Sequence, residues 1–414
     1  MPSAARCARE TLWVLLPLWV APGAAAQERT LSGHLMARAV LVGIHADPIP
    51  LGGSLSEVRV VQPVLMGDAA WRWLHGRATL NFEGATIPDG ELATGDWGEG
   101  FIDRRHPHTY AHELMLWGGG RVDQVELALG AGKGFVPFGT DDPMSRPFLR
   151  YPVNHHFAQI LERALAFGNV RWGPLTLEGA VFNGDEPERP SQWPNLDRFG
   201  DSWAVRLLVH PEGGLEFQGS RAAVASPEHR PGGGPDQTKW SVSGRWEGQL
   251  ARRPLYALAE WARTEEQDQI RTFGSALVEA AWYPGPARVA YRWERTERPE
   301  EERIFGDPFR SPRPHLDDNI VGITRWTTHT VSVGRRFGKS ATVEPFVEGT
   351  AGQIADVGDG LFEARGFYGR DTFWTLAVGV RLEWRGPMHR MGRYGVLAIP
   401  VASAGAEGHH SDQP

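Results

Sequence analysis

Along residues 374–384 every second position is apolar: Trp374, Leu376, Val378, Val380, Leu382 and Trp384. Between them stand Thr375, Ala377, Gly379, Arg381 and Glu383. A period of two puts the sets on opposite faces of a β-strand. The two tryptophans are ten residues apart. At ~3.3 Å per residue and ~45° tilt they stand ~23 Å apart along a barrel axis, close to the height of a membrane barrel's apolar band. The pattern recurs. Trp240, Val242, Gly244 and Trp246 alternate with Ser241, Ser243, Arg245 and Glu247. Val289, Tyr291 and Trp293 alternate with Arg288, Ala290, Arg292 and Glu294. Leu74, Ala78, Leu80 and Phe82 alternate with His75, Arg77, Thr79, Asn81 and Glu83, and Trp203, Val205, Leu207 and Val209 with Ala204, Arg206 and Leu208.

A soluble sandwich also alternates, but its apolar face turns inward and its strands are shorter. Here long strands carry both charge signs on their polar face, as suits a wall with lipid outside and water inside. The expected fold is all-β: a transmembrane antiparallel barrel of about sixteen strands, between about fourteen and eighteen. Connections alternate in length. Met66-Gly67-Asp68, Gly118-Gly119-Gly120, Trp172-Gly173-Pro174, Pro211-Glu212-Gly213, Pro284-Gly285-Pro286 and Gly338-Lys339-Ser340 are expected tight turns. Long polar stretches, including 84–108, 133–155, 184–199, 298–318 and 353–371, fall between them. Short periplasmic turns and long extracellular loops are the habit of outer-membrane barrels. Arg77, Glu83, Arg245, Glu247, Arg292, Glu294, Arg381 and Glu383 are then lumen residues, either pairing across strands in a water-filled wall or setting a field that tunes permeation.

The N-terminus fits export. Arg6 and Arg9 precede the apolar run Leu12–Val20, and Ala24-Ala25-Ala26 gives a cleavage site before Gln27. Residues 1–26 are read as a signal peptide, 27–385 as the outer-membrane barrel and 386–414 as a C-terminal periplasmic tail. The only cysteine, Cys7, lies in the signal, which excludes disulfides and thiolate chemistry from the exported chain. The formal charge is −7, and −8 without residues 1–26, which hold two arginines and one glutamate. That excludes the basic footprint of a nucleic-acid binder. Strands begin almost at Gln27, which leaves no room for an N-terminal plug domain.

Histidines cluster at the loop ends of the expected strands 109–117 and 156–170. Asp103-Arg104-Arg105-His106-Pro107-His108 is followed by His112 and Glu113, and His155-His156 opens the later strand. Phe182-Asn183-Gly184-Asp185-Glu186-Pro187 and Asp201-Ser202-Trp203 fall at the same rim. Imidazoles beside carboxylates suit zinc or copper. The candidate metal residues are His106, His108, Glu113, His155 and His156, with Asp103, Asn183, Asp185, Glu186 and Asp201 as rim residues. The competing role is structural, with imidazoles hydrogen-bonding the loop backbone and packing the mouth.

These blocks resemble a largely uncharacterised, porin-like family of bacterial outer-membrane barrels whose members read D-R-x-H-P-H, H-H, F-N-G-x-E-P and D-S-W. The resemblance covers about residues 95–230 and implies the barrel, with a hint of metal handling. This chain has Thr109 where the family commonly has Asp, and Gln159 and Glu162 near an expected acid and histidine.

The expected function is a porin-like channel for passive diffusion of small polar or ionic solutes. The alternatives are divalent-metal handling at the rim and an outer-membrane hydrolase, though no G-x-S-x-G motif marks a nucleophile. No catalytic residue is assigned and no cofactor is required by the channel reading; zinc or copper is the candidate ion. Expected partners are outer-membrane lipid and small solutes or ions, with a homo-oligomer left open.

Overall fold

The computed structural model describes residues 31–90, 92, 108–140, 142–153, 155–187, 189–225, 235–266, 270–311, 319–386 and 389–398. The expected signal peptide, Asp103 and His106 lie outside the described residues. Sixteen long strands form the wall. They are β1 (Ser32–Asp47), β2 (Leu55–Trp71), β3 (Leu74–Asn81), β4 (Ala111–Val122), β5 (Val125–Gly134), β6 (Arg163–Trp172), β7 (Leu175–Phe182) and β8 (Ser202–Val209), followed by β9 (Leu215–Val224), β10 (Gln237–Leu250), β11 (Arg253–Glu266), β12 (Arg271–Trp282), β13 (Ala287–Glu301), β14 (Ile320–Arg335), β15 (Ala341–Val357) and β16 (Thr372–Trp384). Each pairs antiparallel with its neighbours in sequence, and β1 closes on β16 from Ala37↔Trp384 to Asp47↔Trp374. Closure leaves no strand edge, as a backbone in lipid requires.

Alternation sets which face is which. On β16, Trp374, Leu376, Val378, Leu382 and Trp384 are exposed, while Thr375, Ala377, Arg381 and Glu383 are buried. Outward Trp71, Trp73, Trp172 and Trp384 stand near one end of the wall; Trp203, Trp261 and Trp374 stand toward the other. No helix among the described residues is long and apolar enough to cross a membrane; the strands make the outward apolar band of an outer-membrane barrel.

Two expected turns are strand interior. β2 runs through Met66-Gly67-Asp68 and turns at Arg72-Trp73, and β4 runs through Gly118-Gly119-Gly120 and turns at Asp123-Gln124. The glycines make room for rings and backbone. A Cβ on Gly118 would lie 2.6 Å from the Trp73 ring, and one on Gly119 2.7 Å from the Leu127 carbonyl. Turn chemistry and close approach both select glycine, so the sequence alone reads the same either way. The turns at Gly173-Pro174, 210–214, 283–286 and 336–340 fall where expected.

The lumen is largely filled by the chain itself. Of the described residues 133–165, all are buried except Ser145. The connection after β5 folds into the barrel and touches nearly the whole circumference. A buried loop needs partners for its backbone, and the inward wall residues supply them. Glu348 accepts from the amides of Leu149 and Arg150 at 2.9 and 2.8 Å, and Glu294 from that of Val153 at 2.9 Å. Arg292 donates to the Arg150 carbonyl at 2.7 Å and Arg206 to that of Gly139 at 3.0 Å. Gly139 has φ +70, and a Cβ there would lie 1.7 Å from the Ala158 carbonyl oxygen.

Residues 389–398 also enter the barrel, at the turn end, where the sequence reading had a periplasmic tail. Arg206 donates to the Gly392 carbonyl at 3.2 Å, Arg393 to the Thr140 carbonyl at 2.8 Å, and Asn169 to the Tyr394 carbonyl at 2.9 Å. Tyr394 packs with Trp117, Phe167 and Phe138 in one buried cluster.

Candidate functional site: a packed lumen with a buried histidine cluster

Most of the expected lumen residues lie inside the wall, in ion pairs or hydrogen bonds. Arg77 meets Asp68 at 2.7 Å, Arg292 meets Glu279 at 2.7 Å, and Arg381 meets Glu344 at 3.4 Å. Arg245 meets Glu247 at 2.6 Å, and the Glu247 side chain is 61% exposed. Glu383 faces Arg336 at 3.2 Å. Glu294 holds Val153 and accepts from Thr328 at 3.1 Å. Glu83 is not on a strand, because β3 stops at Asn81 and residues Glu83–Thr86 form a helical turn, α1. The register slips between β1 and β2 after Arg38, and Gln62 takes φ +51. That bulge removes the Gln62 amide from the ladder, and the Glu83 carboxylate accepts from it at 2.9 Å.

The histidines come together, but under the loops rather than on an open rim. His108, His112, His155 and His156 are 1%, 0%, 1% and 6% exposed. His155 and His156 open no strand; they sit in a short helical turn, α2 (His155–Ala158), within the folded-in connection. Ring centroids of His108 and His112 are 4.8 Å apart, those of His108 and His155 6.2 Å, and those of His155 and His156 5.1 Å. His112, near the start of β4, is the member sequence reasoning left outside its ligand set.

The carboxylate is also a different one. Glu113 faces away from the imidazoles and accepts from Thr79 Oγ1 at 2.7 Å, Tyr394 OH at 2.6 Å and the Gly392 amide at 3.2 Å. Glu162 faces them instead, receiving His112 Nδ1 at 2.6 Å, Thr109 Oγ1 at 2.7 Å and the Thr109 amide at 3.1 Å. Burial opposes the Glu162 charge, but the bond from His112, with Lys133 and Thr109 nearby, outweighs it and holds the carboxyl below its usual range. One ligand atom each from His108, His112 and Glu162 lie within 4.8 Å of one another. The Nδ1–carboxylate bond fixes the His112 ring, and Nε2 is buried without a hydrogen-bond partner among the described residues. A carboxylate on one ring nitrogen and a free second nitrogen is how metal-ligating histidines are oriented. Glu162 lies 50 residues from His112, and the one sequence signal for it is its place near the acid and histidine that the family pattern expects after the H-H pair.

The rim blocks act as fasteners. Asn183 accepts from the Ala164 amide at 2.7 Å and donates to the Asp185 carbonyl at 2.8 Å; Asp185 also faces Arg198 at 3.6 Å. Asp201 accepts from the Gly184 amide and from Ser202 Oγ, both at 2.8 Å. A Cβ on Gly184 would lie 1.9 Å from the Ala225 carbonyl oxygen, which accounts for the glycine between them. Among the described rim residues Glu186 reaches the histidines, 3.5 Å from His156 Nδ1, and it lies 3.5 Å from Arg163.

Comparison with solved structures places this wall. An anion-selective porin from Comamonas acidovorans superimposes on 86% of this chain and 100% of its own, with a TM-score of 0.51 and 9% identity. The fold is that of the bacterial porins. The trimer form of OmpT, an outer membrane protein of Vibrio cholerae, aligns over 86% of this chain and 100% of its own at a TM-score of 0.47 and 10% identity. Salmonella typhi OmpF, solved with daunomycin, aligns over 85% and 97% at a TM-score of 0.46 and 9% identity. No protein-family model and no curated protein matches the sequence.

Proposed function

We propose that the chain is an outer-membrane channel for small polar or ionic solutes, narrowed by its own connection 135–162 and by residues 389–398. The observation that carries this reading is the cavity of about 480 Å³ left at the turn end of the closed wall. A sixteen-stranded barrel is wide enough for an aqueous path, and here a charged inner face meets an open mouth on one side of the packed segments. Planar-bilayer recording tests it. The expected result is stepwise conductance smaller than that of an open barrel of this strand number. Silence from both the full chain and a chain ending at Arg385 overturns it.

A second reading has its own observation. The fixed His112 ring, its buried Nε2 and the approach of His108 favour a divalent-metal site. His112, through Nε2, and His108 would hold the ion, with Glu162 orienting the His112 ring through Nδ1 and His155 next to them; neutral imidazole suits zinc or copper. Calorimetric titration of zinc and copper into the folded barrel should give stoichiometric binding that His112→Ala removes. Equal binding by wild type and His112→Ala, with migration in unheated gels unchanged, sets this reading aside.

A further inference from the structure

The turn-end cavity has a lopsided charge. Arg38, Arg146, Arg245, Arg288, Arg336 and Arg381 all line it. Glu247 and Glu383 are the carboxylates on its surface, and Glu344 stands behind, shared by Arg288 at 2.7 Å, Arg381 at 3.4 Å and Arg336 at 3.5 Å. Arg146, carried by the folded-in connection, turns toward Glu260 at 3.4 Å. Five guanidiniums are then left to three carboxylates, an excess of two positive charges that no pH in the working range removes.

The donors are as uneven as the charges. Arg38, Arg288 and Arg381 are 6%, 3% and 4% exposed. Arg38 Nε and Nη2, Arg288 Nη2, and Arg381 Nε and Nη2 are buried without hydrogen-bond partners among the described residues. Buried polar groups are as a rule satisfied. Five orphan N–H-bearing atoms thus belong to arginines that line one polar cavity, and the described residues offer them no acceptor. The volume falls in the ~300–1,000 Å³ range of small-ligand sites. Planar guanidiniums match the oxygens of a multivalent oxyanion better than a halide.

We propose that this vestibule is a binding site for a small multivalent oxyanion of phosphate size, gripped between Arg38 on β1, Arg288 on β13 and Arg381 on β16. Arg336 at the mouth is 40% exposed and meets the anion first. The site rests on the channel reading for its place on a solute path, but binding is measurable without flux.

The test is calorimetric titration of inorganic phosphate into the detergent-folded full chain in a chloride buffer, beside a chloride titration and a bilayer recording of the same preparation. Saturable phosphate binding is expected, with no comparable chloride signal. Arg38→Gln with Arg381→Gln should weaken it at least tenfold. Arg336→Gln, at an exposed position, should weaken it several-fold with the barrel intact, and Glu247→Gln should tighten it. No phosphate binding by folded wild type, or unchanged binding in Arg336→Gln and the double variant together, overturns the site whether or not the protein conducts. Phosphate binding without conductance from either the full chain or a chain ending at Arg385 keeps the site and sets aside the channel.

Discussion

Glu113 is the residue on which the C-terminal segment hangs. Its carboxylate takes the Tyr394 hydroxyl, the Gly392 amide and Thr79 Oγ1, all inside the barrel. Burial and the adjacent carboxylate push the Tyr394 phenol well above its usual range, so it stays a donor. Glu113→Ala orphans two donors of the segment, at about 1–3 kcal/mol each. Tyr394→Phe loses two bonds, the one its hydroxyl donates to Glu113 and the one it accepts from the Phe135 amide at 3.0 Å, about 1 kcal/mol each. Limited trypsin digestion should therefore cut after Arg390 and Arg393 fastest in Glu113→Ala, next in Tyr394→Phe and slowest in wild type. Equal rates in all three would show that this bond network does not hold the segment. Asp142 makes a separate prediction. Burial pushes its carboxyl from 3.8 up to about 6, against the opposing pull of His112 and the Met144 amide. A folded value above the unfolded one means the fold gains stability as pH falls through about 6 toward 3.8 and lacks it above. The shift is worth on the order of 3 kcal/mol. Asp142→Asn keeps an acceptor for Met144 and removes the charge, so its denaturant midpoint should exceed that of wild type at pH 7.5 and match it near pH 4. A gap that is constant with pH would argue against the buried charge.

At the scale of elements, strands are legible because each has one face in lipid, and the period of two survives whatever fills the lumen. β16 alternates as its residues predict, and so do β8 and β13. Turns are legible where proline accompanies glycine, as at 173–174 and 284–286, and illegible at Gly118–Gly120, where glycine serves a neighbouring ring. The histidines are visible as a group in the sequence, but their carboxylate is Glu162, which the family pattern touches, and not Glu113, the nearest in sequence. Glu113 is next to His112 in sequence, and a bulge in the β3–β4 register at His112 leaves both inside the barrel, but Glu113 points to Thr79 and Tyr394, while Glu162 arrives with the folded-in connection. The inward fold of 389–398 is hidden from local pattern: Arg390, Arg393 and Tyr394 meet Glu216, Glu113 and Asn169 across more than 170 residues. That segment occupies the turn-end side of β3 to β9. A chain ending at Arg385 keeps every strand, so it should fold and show a conductance step several-fold larger than the full chain. An unchanged step in bilayers would mean that ions pass elsewhere.

The whole molecule combines two kinds of core. Outside, lipid stabilises an apolar belt; inside, residues 135–161 place a side chain in each of the six buried clusters among the described residues, from Phe138 and Tyr151 to Phe148 and Phe157. The wall does not depend on that inner core for closure, because the β1–β16 ladder and its neighbours are complete without it. Nor would an emptied lumen be left with stranded charge. Arg292 and Glu279, Arg206 and Glu178, and Arg288 and Glu344 already pair within the wall, and water entering the vacated space would solvate the groups that now hold the loop backbone. Replacing residues 136–160 with a short glycine-serine linker should therefore leave a barrel that still migrates faster unheated than heated in detergent gels. Its unfolding transition should fall, since six clusters lose their central side chains, and its conductance should rise toward that of an open sixteen-stranded wall. If the variant fails to form a heat-modifiable band under conditions that fold the wild type, the inner core is needed to build the wall as well as to narrow it, and the barrel is better regarded as a single body packed around its own loop.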